Sequence, residues 1–114
     1  MIRVEEIEAK VQYSAAFDAI CGAGMAINIT LMKKGRVSTQ DLSNMKQIRT
    51  ALFGLGTRYR HVTKMVGTLH SALSHAIDYV EGDISAREKA LSQSQQFNDE
   101  IKAFERKWSD KNGI

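Results

Sequence analysis

Through the middle of the chain, eleven apolar residues recur at alternating gaps of three and four: Met45, Ile48, Leu52, Leu55, Tyr59, Val62, Val66, Leu69, Leu73, Ala76 and Val80. On one helix this a/d spacing draws a single seam, about 54 Å long at 1.5 Å per residue. Ala51, Met65, Ala72 and Tyr79 add a second apolar edge beside it. A seam of that length and width predicts that Leu52, Leu55, Tyr59, Val62, Val66, Leu69 and Leu73 pack against a second copy of the chain, most simply in a two-fold dimer.

Helix punctuation appears on either side of this seam. Lys33, Lys34 and Gly35 suit a helix C-terminus, where cations complement free carbonyls and glycine takes up left-handed backbone at little cost. Ser38 with Asp41 has the spacing of a capping box, flanked by Val37 and Leu42 as a hydrophobic staple, so a helix is predicted to start near Thr39. Gly82 and Asp83 close the seam, and Ser85 with Glu88 predicts a second capping box and a helix from Ala86.

The flanking helices carry their own stripes. Tyr13, Phe17, Ile20, Gly24, Ile27 and Leu31 line the first, broadened by alanines, while Ala90, Phe97, Ile101, Phe104 and Trp108 line the last and read as its core-facing edge. The expected fold is therefore all-α: a single helical domain over 1–114, with helices at about 3–34, 39–81 and 86–110. They form an antiparallel bundle with a long central helix, completed by oligomerisation in preference to the alternative of a monomeric three-helix bundle. The tail Lys111–Ile114 is expected to fray. A helical hairpin turning at Gly54–Gly56 is the alternative, since each glycine inside a helix costs about 1 kcal/mol against alanine. The unbroken heptad phase favours the continuous rod, because an inserted loop normally shifts the register.

Composition agrees with this fold. The 114 residues include no proline, are 43% hydrophobic and 25% charged, and so fall in the globular range. The single cysteine, Cys21, excludes an internal disulfide and fits a reducing, cytoplasmic setting; among small apolar neighbours it is expected to be buried and inert. Met1–Glu6 is acidic and unlike a signal peptide. Tyr13–Met32 carries Asp18 as its only charge and is followed by Lys33, Lys34 and Arg36; Asp18, Asn28 and Thr30 within it favour a buried helix over a membrane span.

Charge is uneven along the chain. Residues 33–64 hold eight basic side chains against Asp41 alone, a local charge of +7, whereas the segments on either side each sum to −2. On a straight central helix Lys46, Arg49, Arg60 and Lys64 form a basic stripe opposite the seam, and Phe53 stands among them. These five residues are the candidate partner-binding surface, since arginine and aromatic side chains together make interface hot spots. Phe53 could equally be covered by a neighbouring helix, and Tyr59 within Arg58–His61 lies on the seam, as core and not as a stacking platform.

Chemistry is not indicated. His61, His70 and His75 lack the i, i+4 metal spacing, Gly54-Leu55-Gly56 lacks a third glycine, and the helical carboxylates face no matched histidine. No catalytic residue, cofactor or metal ligand is expected. The expected function is that of a non-enzymatic adaptor, assembly factor or inhibitor: a homo-oligomer that binds another protein, with no membrane partner. A nucleic-acid-associated regulator reading phosphates with Lys46, Arg49, Arg60 and Lys64 is the alternative. The small size and lack of a cofactor motif are similar to accessory proteins of phages and mobile elements.

Overall fold

A computed structural model describes residues 3–108. The ends beyond, including the expected fraying tail and the end of the last helix at 110, lie outside the described residues. The described residues are all-helical in their regular structure, with four helices where the spacing predicts three: α1 (Val4–Met32), α2 (Thr39–Arg58), α3 (Thr63–Val80) and α4 (Ala86–Lys107).

The continuous rod over 39–81 is corrected. The chain reverses after Tyr59, and α2 and α3 lie antiparallel: Gly56 approaches Val66, Phe53 lies beside His70, and Lys46 reaches Glu81. The break falls at 59–62 and not at Gly54–Gly56, which are helical. Tyr59, His61, Val62 and Thr63 are all weak helix formers, and the Thr63 hydroxyl shares its one proton between the carbonyls of Gly56 (2.8 Å) and Tyr59 (3.0 Å), the latter also accepting from the Val62 amide at 3.1 Å. The reversal occupies four residues, close to one helical turn of 3.6, so the apolar positions on either side stay in phase although the helix does not continue.

The seam therefore closes on itself. Leu52, Val62, Val66, Leu69 and Leu73 are buried within the chain, and Leu55 and Tyr59 pack on the same core, so none of the seven awaits a second copy. α3 is the central element, packed on all three other helices, and buries Met65, Val66, Leu69, Ala72, Leu73, Ala76 and Ile77. α1 lies along α2 and α3 through Ala16, Ile20, Ala23 and Ile27, the two alanines allowing close approach and the two isoleucines filling the core. α4 sets Ala90 and Phe97 into the shared core and meets α1 near the Tyr13–Phe104 ring stack, with centroids 5.2 Å apart, while Trp108, just past its end, is buried beside His61. The result is an up-down-up-down bundle measuring 51 × 22 × 17 Å.

Two of the three expected boundaries hold in detail. Lys34 and Gly35 both take positive φ after α1, and Gly35 N–H donates to Thr30 O at 2.9 Å. Ser38 Oγ accepts from Asp41 N–H at 3.0 Å. At the start of α4, however, Ser85 makes no cap: Asp83 Oδ1 accepts from both the Ser85 amide (3.1 Å) and the Ser85 hydroxyl (2.6 Å). Asp83 has the shorter path to these donors, which displaces the expected Ser85–Glu88 box.

Candidate partner-binding surface

Folding the rod in half redistributes the five candidate residues. Lys46, Arg49 and Phe53 share one face of α2, at spacings of three and four, along the edge where α2 meets α3. Arg60 lies in the reversal and Lys64 is exposed in the first turn of α3. They are not one straight stripe.

Phe53 is the outlier among them, 65% exposed although aromatic. Its ring lies 6.1 Å from the His70 imidazole, tilted by 55°. Together the two rings flank a cleft of about 200 Å³ between α2 and α3, whose wall includes Val66 and the bare backbones of Gly56 and Gly67. Gly56 has a packing reason, because a Cβ there would come within 3.4 Å of Val66 Cγ1. Gly67 has none: a Cβ would meet nothing within 4 Å, yet glycine in mid-helix costs about 1 kcal/mol against alanine. Burial, and after it the charge of Arg49, pushes the His70 pKa below the ordinary histidine value, so the imidazole is neutral at neutral pH. The cleft is thus largely apolar, with Thr57 and Thr63 in its wall and the Arg49 charge near His70.

Two of the basic residues are committed within the fold. Lys46 Nζ donates to Glu81 Oε2 at 3.0 Å. Arg60 grips Glu8 with both Nε (3.1 Å) and Nη2 (3.2 Å), and this pairing holds the Glu8 carboxyl below its usual pKa, helped by Gln12 and the nearby His61. Gln12 Oε1 also accepts from the His61 amide at 2.9 Å, and the His61 ring meets Trp108 edge-on at 5.7 Å. Glu8, Gln12, Arg60, His61 and Trp108 therefore fasten the start of α1, the reversal and the end of α4 together. Sequence spacing missed this cluster because its three parts, Glu8 with Gln12, Arg60 with His61, and Trp108, are 47 or more residues apart along the chain.

The second surface that spacing missed is the outer side of α1. Val4, Ile7, Val11, Met25, Ile29 and Met32 are all exposed, in a row opposite the buried Ala9, Ala16, Ala23 and Ile27. Cys21 is exposed, a correction to the buried thiol expected from its neighbours, because Ile20 and Ala23 turn into the core while Cys21 falls on the outer side of the helix. By length and composition α1 could cross a membrane; 28% of its most apolar window is buried. Beside its second half a cleft of about 300 Å³ opens toward α2, lined by Met25, Ile29, Met45 and Ile48 among others. Among the described residues no group of three or more His, Cys, Asp or Glu side chains is placed to hold a metal ion. No protein-family model, curated protein or solved structure matches the chain.

Proposed function

We propose that the protein is a non-enzymatic helical binding module, an adaptor, assembly factor or inhibitor, that acts as a homo-oligomer and docks another protein at the α2–α3 cleft. The observation that carries this reading is Phe53: a large aromatic side chain held in solvent beside an apolar cleft with a bare glycine in its wall. An exposed aromatic anchor next to a concave apolar surface is the usual composition of a hot spot. Arg49, whose charge is felt at His70, favours a partner segment with an acidic residue flanking an apolar one.

The nucleic-acid alternative has less support. Lys46 and Arg60 already face Glu81 and Glu8, and the reversal separates the basic residues that a straight rod would align. A gel-shift titration with DNA and RNA at two salt concentrations separates the two readings, since phosphate binding is salt-dependent. Retention at low salt that is lost on Arg60→Glu would replace the proposal with the alternative.

The direct test is affinity capture followed by identification, comparing the wild-type chain with Phe53→Ala and with Gly67→Leu. The proposal expects one species to be lost from both variants while helicity and melting temperature are retained. Identical capture by all three would remove the α2–α3 cleft from consideration.

A further inference from the structure

We infer that the cleft between α1 and α2 is a small-molecule site for a free apolar α-amino acid, whose side chain lies between the two helices and whose zwitterionic head is held at the end nearest the 33–38 connection. The site shares no lining residue with the α2–α3 cleft, so it stands or falls apart from the protein docking proposed there.

The body of the cleft is apolar and adaptable. Met25, Ile29, Met45 and Ile48 line it, and the two methionines can repack around a guest because their side chains are unbranched and polarisable. Gly22 leaves bare backbone in the same wall, although alanine would be the better helix former and a Cβ there would meet Ile48 Cδ1 at an ordinary 3.8 Å. Packing within the fold does not call for glycine at this position; open cleft volume does. Beneath it the fully buried Thr30 donates its hydroxyl to Met45 Sδ at 3.6 Å, a weak acceptor that leaves a polar group on the floor only lightly satisfied. The volume of about 300 Å³ is at the bottom of the range of small-molecule sites, which suits one side chain of the size of leucine, methionine or phenylalanine.

The polar groups that line the cleft are gathered at one end. Lys33 directly follows α1, and Asp41 and Asn44 lie in the first two turns of α2, whereas Gly22 lies about 16 Å from Lys33 along the helix. Lys33 and Asp41 carry opposite charges, yet neither makes an ion pair with the other or with any described residue, in contrast to Lys10, Lys46 and Arg60. Asn44 Oδ1 accepts from Gln40 Nε2 at 3.0 Å, which leaves its own amide donors for a ligand. A head that satisfies this set must carry both signs: a carboxylate for Lys33 and Asn44, and an ammonium for Asp41. A fatty acid would bring its carboxylate beside Asp41, and an alkylamine its ammonium beside Lys33. An α-amino acid carries the two charges on one carbon and meets both.

An amide chemical-shift titration of the full chain by NMR, with L-leucine as the probe, is the test. Leucine is expected to saturate near the millimolar range and to move the amides of Gly22, Ile29, Asn44 and Ile48. Isocaproate, which is leucine without its ammonium, and isoamylamine, which is leucine without its carboxylate, should each bind about three- to tenfold more weakly, and this comparison needs no variant. Asp41→Asn should weaken leucine by the same factor without weakening isocaproate, and Lys33→Met should weaken leucine without weakening isoamylamine. Gly22→Leu fills the cleft and should abolish binding while helicity and melting temperature are kept. No shift up to the solubility limit of leucine overturns the site, and so does leucine binding that survives Gly22→Leu. Shifts centred on Phe53 and His70 overturn its location. Isocaproate binding as tightly as leucine, with Asp41→Asn tightening it further, overturns the amino acid in favour of a simple carboxylate. None of these outcomes decides whether a protein is captured at the α2–α3 cleft, so the two readings fail separately.

Discussion

α1 and α3 are both rich in apolar side chains, yet they spend them differently. α3 faces three neighbours and turns its large aliphatics, Val66, Leu69, Leu73 and Ile77, inward, leaving threonines, serines, histidines and a glycine outside. α1 is held to the molecule mainly by small residues, Ala9, Ala16 and Ala23 with Ile20 and Ile27, and turns most of its larger aliphatics away. The difference teaches that apolar content alone does not say which helix holds a fold together. α3 supplies cohesion; α1 leaves most of its larger aliphatics in solvent.

Truncation separates the two roles most strongly. Leu73→Ala, at a fully buried site in α3, should cost about 2–5 kcal/mol in urea unfolding, while Val11→Ser on the outside of α1 should change monomer stability by less than about 0.5 kcal/mol. Equal effects would dissolve the contrast. Next in size is the reversal that makes α3 a separate helix. Thr63→Ala removes the donor to Gly56 and Tyr59 and should lower stability by about 1 kcal/mol, read from the same urea midpoints.

The opposite sign is expected at Gly67. Alanine there meets open space and improves helix propensity, so Gly67→Ala should stabilise by about 0.5–1 kcal/mol in thermal unfolding. A loss of stability would show that α3 needs the bare backbone for its own packing, and the cleft would lose its meaning as a binding site. The smallest effect concerns the tie between the two helices' N-terminal ends. Glu8 is lowered in the folded state, chiefly by Arg60, so its contribution is full above its unfolded value and disappears as pH falls through the folded one. The urea midpoint of the wild type should therefore drop across that acidic window relative to Glu8→Gln. Parallel curves would mean that the Glu8–Arg60 bridge carries no stability.

Much of the fold was legible from spacing. The all-α class, the boundaries of α1, the Ser38 cap and the core edge of α4 follow from local chemistry, which acts within a few residues. The reversal did not, because a four-residue turn stands in for one helical turn and leaves the heptad count intact; the low helix propensity of Tyr59, His61, Val62 and Thr63 was the available sign. At the candidate site, Phe53 was legible as an aromatic among basic residues. His70 and Gly67 were not, because only the hairpin brings them to it. The outer row of α1 was hidden for another reason: the helix is apolar on every side, so its stripe has no contrast.

The same hairpin also governs how the molecule is felt at a distance. The segment of charge +7 is contiguous in sequence, but α2 carries it from one end of the bundle to the other, leaving Lys33, Lys34 and Arg36 at one pole and Arg58, Arg60 and Lys64 at the opposite one. Twenty helical residues separate the poles by about 30 Å, several Debye lengths at physiological ionic strength. An approaching polyanion would meet small groups at the two poles with Lys46 and Arg49 between them, Lys46 and Arg60 already facing carboxylates, and no single concentrated patch from which a steering field could reach out.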